Sequence, residues 1–173
     1  MTNKNHIHRK PRAHSWTTLS NDQLSQILPL SAKDPLLHDV HDVVAIVTGT
    51  GIRTGELRDL RWIDVDLPKS KITIRNAKTS CVRTVPLGED TLRVLEARRQ
   101  RQPDSGCVLG PSARALLHRV SRKMATLSKC IGIGSISMQM LRRTFGVRLL
   151  NSGANIWSVM DMMGLSRPRS ITH

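Results

Sequence analysis

The 173-residue chain is 39% hydrophobic and carries 27 Lys and Arg against 13 Asp and Glu, a formal charge of +14 with a pI near 11.2. That length supports one core, and that charge calls for a polyanionic partner, nucleic acid ahead of an acidic membrane surface. No apolar run approaches the roughly 20 residues of a membrane span, and the opening MTNKNHIHRKPRAH has no hydrophobic signal-peptide stretch, so a cytoplasmic protein is expected.

Residues 1–15 mix His, Lys, Arg, Asn and Pro without apolar periodicity and read as a flexible basic tail, either a solvated leader or a DNA-touching arm. A first helix is predicted to open at Ser20, where Ser20 and Gln23 have capping-box spacing and Leu24, Ile27 and Leu28 share a face. A second follows, capped by Asp34 with Pro35 in its first turn; its buried stripe would hold Leu36, Leu37, Val40, Val43, Val44 and Val47. The segment TGTGIRTGELRDLRW then turns into a short helix with Leu57 and Leu60 inward, and Gly49, Gly51 and Gly55 are expected to mark the bend.

The rhythm changes next. Runs around Val65, Lys71 to Arg75 and Cys81 to Val85, bounded by Pro68 and Pro86, predict a small antiparallel sheet. Helical period returns from Glu89 with Leu92 and Leu95, and from Ser112 with Leu116, Leu117, Val120, Met124 and Leu127. The polar stretch RQRQPDSGCVLGP between them reads as a loop. Two further helices are expected, at Met138 to Leu150, ending before Gly153, and at Ile156 to Met163, ending at Gly164. The run Glu96 to Arg101 is expected to be a solvated helix end, and Met160, Met162 and Met163 with Trp157 to be core packing.

Cys81, Cys107 and Cys130 are odd in number and widely spaced, which suggests reduced thiols, neither a disulfide framework nor a metal clip. His6 and His8 have no second ligand pair at metal-binding spacing, so no metal or cofactor is expected. With three Trp, one Phe and no Tyr, the chain is poorly equipped to stack on single-stranded bases. Contacts to duplex phosphates fit better.

Three segments carry chemistry. In TGTGIRTGELRDLRWIDVD, residues 48–66, Arg53 sits between a Thr-Gly turn and a Glu-Leu helix start. No GK[ST] follows the glycines, so they do not form a nucleotide loop. The segment closely resembles the first signature box of tyrosine recombinases, also called phage integrases, and the resemblance makes Arg53 the first catalytic arginine. A guanidinium offers a fixed fork of donors to two phosphate oxygens and can stabilise charge on a phosphorane.

TIRNAKTSCVRTVPL, residues 73–87, is similar to the family's β-hairpin, with Lys78 in the catalytic lysine position and a basic residue before Val-Pro-Leu. There an ammonium would protonate the departing 5′ oxygen. MQMLRRTFGVRLLNSGANIWSVMDMMGLS, residues 138–166, resembles the second box, with Arg142 as the second catalytic arginine and Arg143 as a further DNA contact. Here the pattern is altered. Gln139 and Arg143 stand where the family has histidines, and Leu165 replaces the histidine of its Leu-Gly-His. Glutamine can donate a hydrogen bond but cannot exchange a proton near neutral pH.

The family's tyrosine, which forms a 3′-phosphotyrosine, would fall about two residues past His173, and neither Ser170 nor His173 is expected to replace it. The resemblance implies a mainly helical α+β catalytic-domain fold over residues 16–173, without the family's N-terminal core-binding domain. It also implies duplex DNA as partner, and assembly of several copies on DNA that is doubtful without the family's C-terminal helix. The function it implies is that of a fragment of a site-specific recombinase that breaks and rejoins DNA without a metal. The alternative is an inactive DNA-binding or regulatory module derived from one.

Overall fold

The structure, a computed structural model, describes residues 18–75 and 82–165. Helix α1 (Asn21–Lys33) begins at the expected capping box: Ser20 Oγ accepts from the Gln23 N–H at 3.1 Å and Gln23 Oε1 from the Ser20 N–H at 2.9 Å. Asp34 accepts from the Leu36 N–H at 2.8 Å, but the turn it caps is a separate 3-10 turn, Pro35–Leu37. Helix α2 (His38–Thr50) follows. The break in phase turns Leu36 outward, contrary to the expected stripe, while Val40, Val43, Val44, Ile46 and Val47 are fully buried.

Helix α2 is the axis of the molecule, packed against α1, α4 (Glu89–Arg101), α5 (Ala113–Cys130) and α6 (Met138–Asn151). Four valines would make a poor isolated helix; burial on all sides overrides that propensity. Of the three glycines expected at the bend, Gly51 alone makes it, with φ +62° and its N–H bonded to the Val47 carbonyl at 2.9 Å. Gly49 lies inside α2, where a Cβ would sit 1.9 Å from Thr91 Oγ1, and Gly55 lies inside helix α3 (Thr54–Arg58). So Gly49 is a packing glycine.

A 3-10 turn, Trp62–Asp64, leads into a sheet of order β1 (Val65–Asp66), β2 (Lys71–Arg75) and β3 (Val82–Pro86), antiparallel throughout. Ile72 pairs with Val85 and Ile74 with Arg83. Ile72, Ile74, Val85 and Arg83 are all buried, so Arg83 occupies an apolar register of the inner face. The connection between β2 and β3 lies outside the described residues, and with it Lys78 and Cys81.

The segment between α4 and α5 is stitched into the core: Arg61 and Cys107 form an isolated bridge, and Val108 and Leu109 are buried. Nor is the end of α4 simply solvated. The 3.6-residue period continues the inward line Thr91, Val94, Leu95 to Arg98, whose side chain is 2% exposed. Arg98 donates to the Val108 carbonyl at 2.6 Å, to Asp42 at 2.7 Å and to Asp39 at 3.2 Å, and Arg101 joins Asp42 at 2.7 Å. Arg99 stacks over the Trp62 ring, 5.2 Å from its centroid.

Helix α6 is capped by Ser137, and α7 (Ile156–Met163) by Asn155, which accepts from the Trp157 N–H at 2.8 Å; Gly164 ends α7 at φ +61°. Met163 packs into the core, but Trp157 is 47% exposed, so the expected core group is split between the two faces of α7. Among the described residues no helix is long and apolar enough to cross a membrane.

Candidate functional site

Arg53 is the residue preceding α3, in extended backbone conformation, and Glu56 lies one turn on. Glu56 Oε2 accepts from the Arg53 N–H and Oε1 from Arg53 Nη1, each at 2.9 Å. This is half of a capping box, with the acid on the positive end of the helix. It also fixes the direction of the guanidinium, whose Nη2 donates to the Gly164 carbonyl at the end of α7.

The other side of Glu56 is taken by Arg83, which donates from Nη1 to Oε1 at 2.9 Å and from Nη2 to Oε2 at 2.6 Å. Both side chains are 6% exposed. Arg83 Nε donates to the Met162 carbonyl at 2.8 Å. Burial by itself would raise the Glu56 pKa, but the Arg83 hydrogen bonds, those from Arg53 and the Arg83 charge outweigh it and hold the carboxyl at about 2. It is ionised throughout the physiological range.

Arg142, in the second turn of α6, donates from Nη1 to the Gly51 carbonyl and from Nη2 to the Met163 carbonyl. Burial, then the neighbouring charges of Arg53 and Arg83, push its pKa down to about 10, partly opposed by Glu56. It still carries its charge at neutral pH. Three guanidiniums therefore converge on the last turn of α7, on its carbonyls and the negative end of its dipole. Two of them, Arg53 and Arg83, share one carboxylate.

Gly164 is required where they meet. Besides its left-handed φ, a Cβ there would lie 3.0 Å from Arg83 Nη1 and 3.1 Å from Arg53 Nη1. Gly51 has a matching role at the other wall: a Cβ would lie 2.4 Å from the Phe145 ring, so the ring presses on the turn whose carbonyl holds Arg142.

The structure thus brings Arg53 and Arg142 together. Gln139 is exposed in the first turn of α6, three residues before Arg142 and so on the same side of the helix. Arg143 is half-buried beside it. Leu165 directly follows the carbonyl that receives Arg53, with its side chain 44% exposed. Lys78, Ser170, His173, His6 and His8 lie outside the described residues. Among the described residues no cluster of His, Cys, Asp and Glu could hold a metal ion.

Glu56 and Arg83 stand inside the boxes, as the Glu of the Glu-Leu helix start and the basic residue before Val-Pro-Leu, but the sequence assigned neither a role. Glu56 stands at capping-box spacing from Arg53, and Arg83 is two residues from the inward Val85. Strand alternation alone puts Arg83 inside.

Three arginines are thus preorganised around one helix end of a mainly helical α+β domain. The chain belongs to the phage integrase family, whose model matches residues 17–173. Among curated proteins it is 29% identical to the tyrosine recombinase XerC of Bacillus pumilus over 172 residues, covering 90% of this chain and 56% of that protein. It is 24% identical to XerA of Pyrococcus furiosus, covering 85% and 52%. The crystal structure of XerA recombinase superposes with a TM-score of 0.75 at 23% identity, covering 87% of this chain and 57% of the other. The Tn1549 transposon integrase in complex with a circular intermediate DNA superposes at 0.74 and 20%, covering 90% and 60%. The chain spans little more than half the length of these relatives.

Proposed function

We propose that this chain is the phosphate-gripping part of a site-specific tyrosine recombinase, acting on duplex DNA in the cytoplasm. The observation that carries the reading is electrostatic. Three guanidiniums meet at Gly164 with one carboxylate among them, which leaves a fixed excess of two positive charges. Burial first, and then the charges of Arg53 and Arg83, disfavour the charged Arg142, and a phosphodiester bound beside Arg53 and Arg142 would offset both.

In this reading Arg53 and Arg142 hold the two non-bridging oxygens of the scissile phosphate. Their donors are set before DNA arrives, so little reorganisation accompanies the build-up of charge on the phosphorane. Lys78, on the β2–β3 connection, is assigned by family resemblance as the proton donor to the departing 5′ oxygen. Arg143, on the same helix as Arg142, takes a flanking phosphate. Several copies assemble on the DNA in the complete protein. The names of the relatives support this assignment: the curated ones are tyrosine recombinases, and one solved neighbour is a lambda integrase tetramer bound to a Holliday junction.

A second reading rests on the residues themselves. These 173 residues include no tyrosine, and Gln139 and Leu165 occupy positions where the family has proton-exchanging imidazoles. A module that binds recombination sites without cutting fits those facts. A suicide duplex, nicked so that cleavage traps a covalent complex, tests what the two readings share: these 173 residues are expected to form no adduct, and an adduct would exclude the non-cutting reading.

The grip itself is tested by titrating duplex DNA at increasing salt. Affinity should fall linearly on a log–log plot, and Arg53→Ala or Arg142→Ala should each flatten the slope by about 0.9 with a loss of roughly tenfold. Affinity that ignores salt, or variants that bind like the parent, would overturn the assignment.

A further inference from the structure

Arg83 adds its charge to the grip just described but holds no phosphate oxygen in it, yet it is the most completely engaged of the three guanidiniums. It lies in the inward register of β3, opposite Ile74, where an apolar side chain would satisfy the sheet. Instead all three of its nitrogens are committed: two to the oxygens of Glu56, at 2.9 and 2.6 Å, and Nε to the Met162 carbonyl at 2.8 Å. It joins three elements distant in the chain, namely the hairpin strand β3, the start of α3 and the end of α7.

The same Glu56 oxygen that receives Arg83 Nη1 also receives Arg53 Nη1. Were Arg83 absent, the whole negative charge of a buried carboxylate would face Arg53. Both carboxylate oxygens would then be open to a bidentate fork, the geometry arginine favours. Arg53, which already donates to Glu56 through Nη1, would turn Nη2 as well from the Gly164 carbonyl toward it. With Arg83 present, one carboxylate is divided between two arginines, and Arg53 keeps donors to spare.

We propose that Arg83 is a positioning residue: by saturating Glu56 and bonding the end of α7, it keeps the Arg53 guanidinium aimed at the phosphate. The proposal rests on the phosphate-binding reading above. Charge alone does not suffice for this role, because the task needs a planar fork across two oxygens with a third donor held at a right distance for a carbonyl. Lysine supplies the charge but not that geometry.

The test is a set of duplex-DNA titrations with thermal melting of every variant. Arg83→Lys keeps the charge and is expected to bind duplex roughly tenfold more weakly, with the salt slope reduced by about 0.9, the contribution of one phosphate contact. In an Arg53→Ala background the same substitution should cost nothing further, since Arg83 acts through Arg53. A paired variant, E56Q with R83M, removes both buried charges, leaves no ion unpartnered and keeps the excess of two positive charges. With no carboxylate left to capture Arg53, it should recover affinity relative to R83K.

Parent-like binding by R83K, or a pair that binds no better than R83K, would overturn the positioning role, as would losses that add in the Arg53→Ala background. If R83K fails to fold, Arg83→Gln takes its place in the comparison with the pair. Failure of the underlying reading has a different signature: Arg53→Ala and Arg142→Ala would then bind duplex like the parent whatever Arg83 does.

Discussion

Gly164 concentrates several demands in one residue. Its left-handed backbone ends α7, its carbonyl receives Arg53, and its missing side chain leaves room for two guanidinium nitrogens at 3.0 and 3.1 Å from where a Cβ would be. Alanine there would cost roughly 1–2 kcal/mol for the backbone alone, and would displace both arginines. Gly164→Ala is therefore expected to melt a few degrees below the parent and to lose more duplex affinity than that modest destabilisation explains. A variant that melts and binds like the parent would refute the close approach. At this scale the sequence singled out Arg53 and Arg142, which stand inside patterned boxes and which the structure brings to the same helix end. The sequence was less readable for Arg83, whose importance arises from the carboxylate that faces it.

Among elements, the sequence signals that proved reliable were those whose physics is local. Ser20 and Gln23 close the capping box within four residues, Gly164 ends α7 where helical period stops, and strand alternation predicts the three-stranded sheet. Where the prediction slipped, a neighbour had intervened. Gly49 looked like part of a turn but is a helical glycine that makes room for Thr91 of α4, and Leu36 left the apolar stripe when Pro35–Leu37 closed as a 3-10 turn.

The junction of α3, β3 and α7 also predicts a pH response. The folded Glu56 carboxyl, at about 2, lies below its ordinary 4.5. The stabilisation it brings is complete above about 4.5 and disappears as the pH falls toward 2. In urea unfolding at stepped pH, Glu56→Gln should be less stable than the parent at neutral pH, because Arg83 is then buried without a counter-charge, and the gap should close between pH 4.5 and 2. A gap independent of pH would sink this account.

On the scale of the whole molecule, α2 links two polar clusters. Gly51 at its C-terminal end meets Arg142, while Asp39 and Asp42 near its N-terminal end hold Arg98 and Arg101. Burial would raise the Asp42 pKa, but hydrogen bonds from His41 and Arg98, with the charges of Arg101 and Arg98, keep it below the usual range. Arg98→Ala would strip the buried carboxylate of a principal partner and should cost about 3–5 kcal/mol, read as a shift in the urea midpoint. Duplex affinity of the folded fraction should stay unchanged, since this cluster lies at the opposite end of α2. A shift below about 1 kcal/mol would show that Arg101 suffices alone.

Composition and spacing by themselves determined the basic charge, the caps, the helical and strand periods, and the order of the three boxes, because each is a property of residues a few positions apart. Burial of charge belongs to the tertiary structure. Arg83 and Arg98 both lie on apolar registers that the sequence displays, but an arginine can be buried only if a carboxylate and a carbonyl face it. Those partners are supplied by elements distant in the chain: Glu56 is 27 residues from Arg83, and Gly164 is 111 residues from Arg53. Only folding brings the end of α7 to the start of α3, and that meeting converts isolated arginines into a site.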